Sequence, residues 1–188
     1  MGITVVCVSG PSGVGKGTLV KVALNEVTEY AFGKSLTTRP PRDEDTMYEY
    51  ADSEEAFFAR VEAGELIEWS PHFGNLYGKL LPTPGRPTLL ELDVDGAESV
   101  KAKIPEAKKV LITVPGSLEE QRATLCRRIL EREPDIAPAQ LHTRLDRMQY
   151  EIEFAMSHRP DLIITNGDGL LQEAAAELAD FLRAQLAA

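Results

Sequence analysis

Hydrophobic and polar positions along most of the chain follow two regular periods, and the order of those periods predicts an architecture. Residues Ile3 to Val8 form an almost unbroken apolar, β-branched run that ends at Ser9 and Gly10, the pattern of a strand buried on both faces. After a glycine-rich turn, Leu19, Val22, Ala23 and Val27 recur at helical spacing within Thr18 to Val27. The first unit therefore reads strand, glycine loop, helix. Thr88 to Leu92, Val110 to Val114 and Leu162 to Thr165 are further short apolar strands, and helical periodicity fills 95–103, 117–132, 138–157 and 169–187. Strands and helices taking turns in this way predict an α/β fold, a parallel sheet covered by helices on both faces.

Residues 34 to 86 break the rhythm. They hold a basic turn, an acidic stretch, a short helical segment near 53–63 and two strand candidates, Leu66-Ile67-Glu68-Trp69 and the segment up to Tyr77. An inserted, partly antiparallel lobe is expected here, with Pro82, Pro84, Gly85 and Pro87 stiffening the return to the core. The whole reads as a single domain over 1–188, with a core of 1–33 and 87–188 and an insertion at about 34–86.

Composition changes the picture in three ways. A chain of 188 residues, 43% of them hydrophobic, can bury one substantial core and not two. Its formal net charge of −10 and sequence pI near 4.8 argue against general binding to nucleic acid or anionic membrane, which needs a basic field. Any phosphate-bearing ligand must then be gripped locally. Cys7 and Cys126 are too few and too differently placed for a disulfide framework. Neither a basic and apolar leader pattern nor an apolar run near the ~20 residues that cross a bilayer is visible, so a reducing cytoplasm is the expected compartment. His72, His142 and His158 show no ligand spacing, and no metal-ligating set is assigned.

The chemistry begins at Gly10-Pro11-Ser12-Gly13-Val14-Gly15-Lys16-Gly17-Thr18, which follows a strand and opens a helix. A polyphosphate must be approached by several backbone N–H groups, so the loop needs positions without side chains, and the helix N-terminus adds partial positive charge. Lys16 is expected to reach the outer phosphates of a nucleotide. Gly17 stands where the general pattern has Ser or Thr, with the hydroxyl one residue later at Thr18, which points Thr18 to an inner phosphate and leaves Mg²⁺ to the nucleotide and water.

A second anion grip is suggested by Ser35-Leu36-Thr37-Thr38-Arg39-Pro40-Pro41-Arg42. Two guanidinium groups three residues apart, with hydroxyls before them and prolines stiffening the turn, can hold a phosphate by forked hydrogen bonds. An exposed basic turn is the plain alternative.

The phosphate loop, this arginine turn, Ile67-Glu68-Trp69, Gly74-Asn75-Leu76-Tyr77-Gly78 and Leu92-Asp93-Val94-Asp95-Gly96 follow one another as in guanylate kinases, which the chain resembles over nearly its whole length. The resemblance implies a P-loop NTPase-type parallel sheet flanked by helices, with an inserted GMP-binding lobe and a mobile arginine-bearing segment at about 126–144. It implies transfer of the γ-phosphoryl group of ATP to GMP or dGMP, with Mg²⁺, in a monomer or homodimer. Positions matching Ser35, Arg39, Arg42, Tyr48 and Tyr77 hold the GMP phosphate in that family, and those matching Glu68 and Asp93 face the guanine. Arg128, Arg132 and Arg144 match the positions that close over ATP and, with Lys16 and Arg39, act in transfer. Asn166 resembles the adenine-side asparagine.

The residue types suit those roles. Guanine offers N1–H and an amino group as adjacent donors, so a carboxylate such as Glu68 accepts from both, whereas adenine presents an acceptor there. A solvated strand carboxylate at Glu68, core aromatics at Tyr48 and Tyr77, a helix cap at Asp93, and helix-surface arginines paired with Glu131, Glu133 or Asp146 are the alternatives for each. Two departures from the family pattern stand out. The stretch from Arg42 to Tyr48 is shorter by about three residues, and Lys79 occupies the place after Tyr77-Gly78 where the family has Ser or Thr to read guanine O6. Lys79 itself or Thr83 could supply that donor. A related fold acting on ribose 1,5-bisphosphate, or a non-catalytic binding module, are the competing readings.

Overall fold

The computed structural model describes residues 4–41, 48–72 and 74–187. In chain order the elements are β1 (Val5–Ser9), α1 (Lys16–Glu26), β2 (Ala31–Phe32), β3 (Ser35–Thr37), β4 (Tyr48–Tyr50), α2 (Glu54–Glu62), β5 (Leu66–His72) and β6 (Asn75–Leu80). They continue with β7 (Thr88–Glu91), α3 (Val94–Lys103), β8 (Lys108–Thr113), α4 (Leu118–Arg132), α5 (Pro138–Ser157), β9 (Leu162–Thr165) and α6 (Leu171–Leu186). Among the described residues no helix is long and apolar enough to cross a membrane.

The core sheet has the order β2-β7-β1-β8-β9, and each neighbouring pair runs parallel. Its strands are apolar on both faces because both are covered. Val6, Val8, Leu89, Val110 and Ile112 meet α1, α4 and α6 on one side. Val5, Cys7 and Leu90 meet α3 on the other, where Leu111 packs with Val94 and with Ala155 of α5.

The lobe is a second sheet of order β4-β3-β6-β5. Here the expectation needs correcting, since Ser35, Leu36 and Thr37 are not part of a turn. They form β3, an internal strand paired antiparallel to β6 and parallel to β4. One face of this sheet is apolar and packs Leu36, Leu76, Leu66 and Leu80 on Phe57 of α2. The opposite face is polar. Directly paired residues share a face, so the register Tyr48↔Ser35, Ser35↔Lys79 and Glu68↔Lys79 lines up Tyr48, Ser35, Lys79 and Glu68 in one row across all four strands.

A bulge puts Glu68 in that row. Leu66 pairs with Leu80, but the next pairing joins Glu68, not Ile67, to Lys79. The extra residue re-aims the strand, so Ile67 joins the core cluster under α3 while Glu68 and Ser70 take the polar face. Lys103 of α3 donates to the carbonyl of Ile67 and fixes the bulge to the core.

Candidate active site

The polar face of the lobe and the C-terminal ends of β1 and β7 enclose a cavity of about 440 Å³, a volume suited to a nucleotide-sized ligand. One wall is Gly10, Ser12, Lys16 and Gly17, and the other is Ser35, Tyr48, Glu68, Ser70, Tyr77 and Lys79, with Glu91, Asp93 and Glu151 between them. Ligands of open α/β sheets bind at this carboxyl edge.

The loop wall follows from its glycines. Gly10 sits at φ +145° and packs so closely on Ile112 that a side chain there would collide with the Ile112 carbonyl oxygen, and Gly15 sits at φ +90° with Asn166 Nδ2 only 2.7 Å from where a Cβ would stand. Gly15 is also the N-cap of α1, with no side-chain cap and no acidic residue in the first turn. By contrast, α2, α3 and α4 are capped by Ser53, Asp93 and the Ser117–Glu120 box. An uncapped first turn leaves its N–H groups and its partial positive charge available to an anion. Lys16 Nζ arches over the loop, donating to the carbonyls of Gly10 and, at 3.2 Å, Pro11. Asn166 is buried and its amide donates to Val14 O at 2.8 Å, bracing the loop from behind. Pro11 and Val14 are buried within the loop, Gly13 packs against Ile129, and Thr18 points outward.

On the lobe wall, the hydroxyls of Thr37 and Thr38 serve the backbone. Thr37 Oγ1 donates to Leu76 O at 2.8 Å and accepts from Arg39 N at 3.1 Å, and Thr38 Oγ1 accepts from Leu76 N at 2.9 Å. They pin the arginine turn to β6, which leaves Ser35 of β3 as the hydroxyl of this segment that lines the cavity. The Arg39 guanidinium lies 5.2 Å over the Tyr48 ring, within cation–π reach. Arg42 falls outside the described residues. The Glu68 carboxylate rests against the first turn of α3, its Oε2 3.3 Å from where a Cβ of Gly96 would stand.

Asp93 does cap α3, accepting from Gly96 N at 2.7 Å, while it also lines the cavity. Its second oxygen takes Arg147, a residue the sequence reading did not single out. Arg147 donates to Asp93 at 3.1 Å, to Asp95 at 2.9 Å and to Glu151 at 3.2 Å, tying α5 to the mouth of the cavity. The i,i+4 interval to Glu151 was the one sequence signal available. Glu151 is 7% exposed. Burial pushes its carboxyl above the usual range, against the pull of Lys16 and Arg147.

The late arginines are not gathered at the cavity. Arg128 donates to Asp168 at 2.7 Å and to Asn166 O at 3.0 Å, and Arg132 and Arg144 share Glu133 Oε1 at 2.7 and 3.0 Å. Carboxylates thus hold all three, Arg128 beside Asn166 and Arg132 and Arg144 across Glu133 at the end of α4. Among the described residues, no group of three or more His, Cys, Asp or Glu could hold a metal ion. Cys7 and Cys126 are free thiols, and burial pushes Cys7 up to about 12, which makes it inert at neutral pH.

A guanylate kinase family model matches residues 2–185. A guanylate kinase of Prochlorococcus marinus is 36% identical over 171 residues, covering 87% of this chain and 89% of its own. One from a Synechococcus strain is 37% identical over 94% of this chain and 81% of its own, and one from Thermotoga maritima is 32% identical over 97% and 86%. Among solved structures, a guanylate kinase from Anaplasma phagocytophilum superposes with a TM-score of 0.69 at 26% identity, over 98% of this chain and 86% of that one. The match runs from the first strand to the last helix, lobe included, and on it this chain belongs to the guanylate kinase family.

Proposed function

We propose that this protein transfers the γ-phosphoryl group of ATP to GMP, and to dGMP, yielding ADP and GDP. One observation carries the reading: a single cavity has the glycine loop as one wall and the polar row of the lobe as the other. The distance a phosphoryl group must travel is then set by two grips facing each other.

The chemistry asks for positioning more than for reactive side chains. On the donor side, the N–H groups of the loop and the first turn of α1 hold the inner phosphates, and Lys16 leaves the loop carbonyls to meet the outer ones. Asn166 keeps the loop in shape from behind. On the acceptor side, Ser35, Arg39, Tyr48 and Tyr77 hold the monophosphate, joined by Arg42 on the strength of the family resemblance, while Glu68 accepts from the purine donors. The attacking oxygen belongs to a phosphate that is already ionised at neutral pH, so no general base is required. Arg128, Arg132 and Arg144 exchange Asp168 and Glu133 for the transferring phosphoryl group, whose equatorial oxygens carry the developing charge. Closure of the lobe and this segment excludes water from the transfer.

Bound with ATP, Mg²⁺ would supply positive charge to offset that of the donor phosphates. The described residues fit an ion held mostly by nucleotide and water, with the Glu91 carboxylate beside the loop, 3.6 Å from where a Cβ of Gly17 would stand. The substrates are small molecules; a net charge of −10 speaks against nucleic acid as a partner. A cytoplasmic monomer or homodimer is the working form we propose.

A coupled assay with GMP, dGMP, AMP, UMP and ribose 1,5-bisphosphate as acceptors tests the reading. GMP is expected to be preferred and dGMP tolerated. Turnover of AMP at the GMP rate, or of ribose bisphosphate in preference to GMP, contradicts it, as does no turnover with any acceptor.

A further inference from the structure

Lys79 occupies the middle of the cleft-facing row of the lobe, and its surroundings are unlike those of a surface lysine. It is 6% exposed. Its ammonium makes one long hydrogen bond among the described residues, 3.4 Å to Gly33 O, and lies 5.2 Å over the Phe32 ring. An ammonium carries three donors, so two have no protein acceptor among the described residues, in the wall of a cavity where a ligand can supply one. Its register partners are Ser35 on β3 and Glu68 on β5. Thr83, the other candidate donor, sits in the exposed connection before β7 and does not line the cavity.

We propose that Lys79 is a specificity-determining residue of the acceptor site, donating from Nζ to the 6-oxo group of the purine while Glu68 accepts from the adjacent ring and amino N–H groups. The inference rests on GMP being the acceptor and adds which side chain reads the oxygen on its edge. Residues paired across β5 and β6 stand about 5 Å apart, so a donor and an acceptor are presented side by side, as an O6 and an N1–H are on guanine. Adenine meets this pair with a donor against Lys79 and an acceptor against Glu68, and both mismatches leave buried polar groups unsatisfied. A hydroxyl at this position would read the same oxygen with a fixed neutral donor. An ammonium reads it with a charge that can be lost.

The test compares GMP, IMP and 6-thioguanosine monophosphate as acceptors at pH 7 in wild type, Lys79→Met and Lys79→Gln. The thio analogue keeps both donors of guanine but replaces the oxygen by sulfur, a weak acceptor; IMP keeps the oxygen and lacks the amino group. Lys79→Met is expected to lower kcat/KM by roughly 10- to 100-fold for GMP and IMP, mainly through KM, and far less for the thio analogue. The preference for oxygen over sulfur then collapses, with the KM for ATP unchanged. Lys79→Gln, which keeps a neutral donor, is expected to fall between. Wild type alone supplies a further readout. Burial lowers the pKa of Lys79 to about 8, against the pull of Glu91 on β7 and Glu68 on β5, while Cys7 on β1 stays neutral; the KM for GMP is therefore expected to rise between pH 7 and 8.5, and not in Lys79→Gln. Equal losses for all three acceptors, or an unchanged oxygen-to-sulfur preference, overturn the inference, and so does a flat wild-type profile. If wild type does not use GMP at all, the acceptor assignment fails first; if it does, and the selectivity stays put, Lys79 alone is misassigned.

Discussion

Replacing Lys79 by methionine should make the protein more stable, although it removes a positive charge from an acidic chain. Burial lowers the folded-state pKa from 10.5 to about 8, with Glu91 and Glu68 resisting. A shift of that size corresponds to roughly 3 kcal/mol of penalty for holding the ammonium in the wall at pH 7. Methionine fills nearly the same volume without a charge, so Lys79→Met is expected to gain about 1–3 kcal/mol. The pH dependence carries the same signature. Between pH 8 and 10.5 the unfolded chain keeps the lysine proton that the folded state has released, so this group makes wild-type stability rise with pH, by at most about 1.4 kcal/mol per unit; below pH 8 the penalty is present in full. Cys7 acts in the opposite sense above pH 9, because its thiol ionises only in the unfolded chain, and Tyr30, also pushed up to about 12, does so above pH 10. The rise should accordingly show between pH 8 and 9, amounting to about 1 kcal/mol, and flatten beyond. Urea unfolding followed by circular dichroism at pH 7, 8, 9 and 10 measures it in both proteins, and subtracting the two removes Cys7 and Tyr30. A variant less stable than wild type at pH 7, or a difference that does not vary with pH, would refute the reasoning.

Three further outcomes are expected. Gly15→Ala places a Cβ at φ +90° and 2.7 Å from Asn166 Nδ2; thermal unfolding should show a loss of about 1–3 kcal/mol, and turnover should fall at saturating GMP as the loop loses its shape. Arg144→Ala should lower kcat by about 100-fold with the KM for GMP within a factor of three, while stability changes by under about 1 kcal/mol, because Glu133 keeps Arg132 as a partner. Arg147→Ala leaves Asp93, Asp95 and the buried Glu151 without their shared donor, and denaturant unfolding should register a loss of about 1–3 kcal/mol.

The long periodic elements were readable from the chain alone: α5 at 138–157 and β9 at 162–165 end where the pattern ends, because each has enough turns or apolar residues to declare a period. The glycine loop was readable because its chemistry demands a run of small residues after a strand. The lobe was less so. β3 has three residues, and its partner β6 lies some forty positions later in the chain; nothing local distinguishes Ser35-Leu36-Thr37 from the turn that follows. The bulge at Ile67 is a matter of register between strands, so no pattern within β5 could show that Glu68 and not Ile67 would face the cleft. Lys79 alternates with Tyr77 as a solvent-facing strand residue does, and only the lobe closing on the core buries it. Arg147 resembled any helix-surface arginine, since Asp93 and Asp95 sit more than fifty residues away.

In the proposed reaction Glu68 chooses the purine from a cavity shared with the donor phosphates. Steady-state kinetics of Glu68→Gln against GMP and ATP addresses this directly, because the amide sets a donor where guanine donates and changes neither size nor fold. A fall of about 100-fold or more in kcat/KM for GMP, with the KM for ATP within a factor of two, is the outcome the geometry requires. Equal losses toward both substrates, or GMP use left intact, would place the acceptor base somewhere other than against this carboxylate.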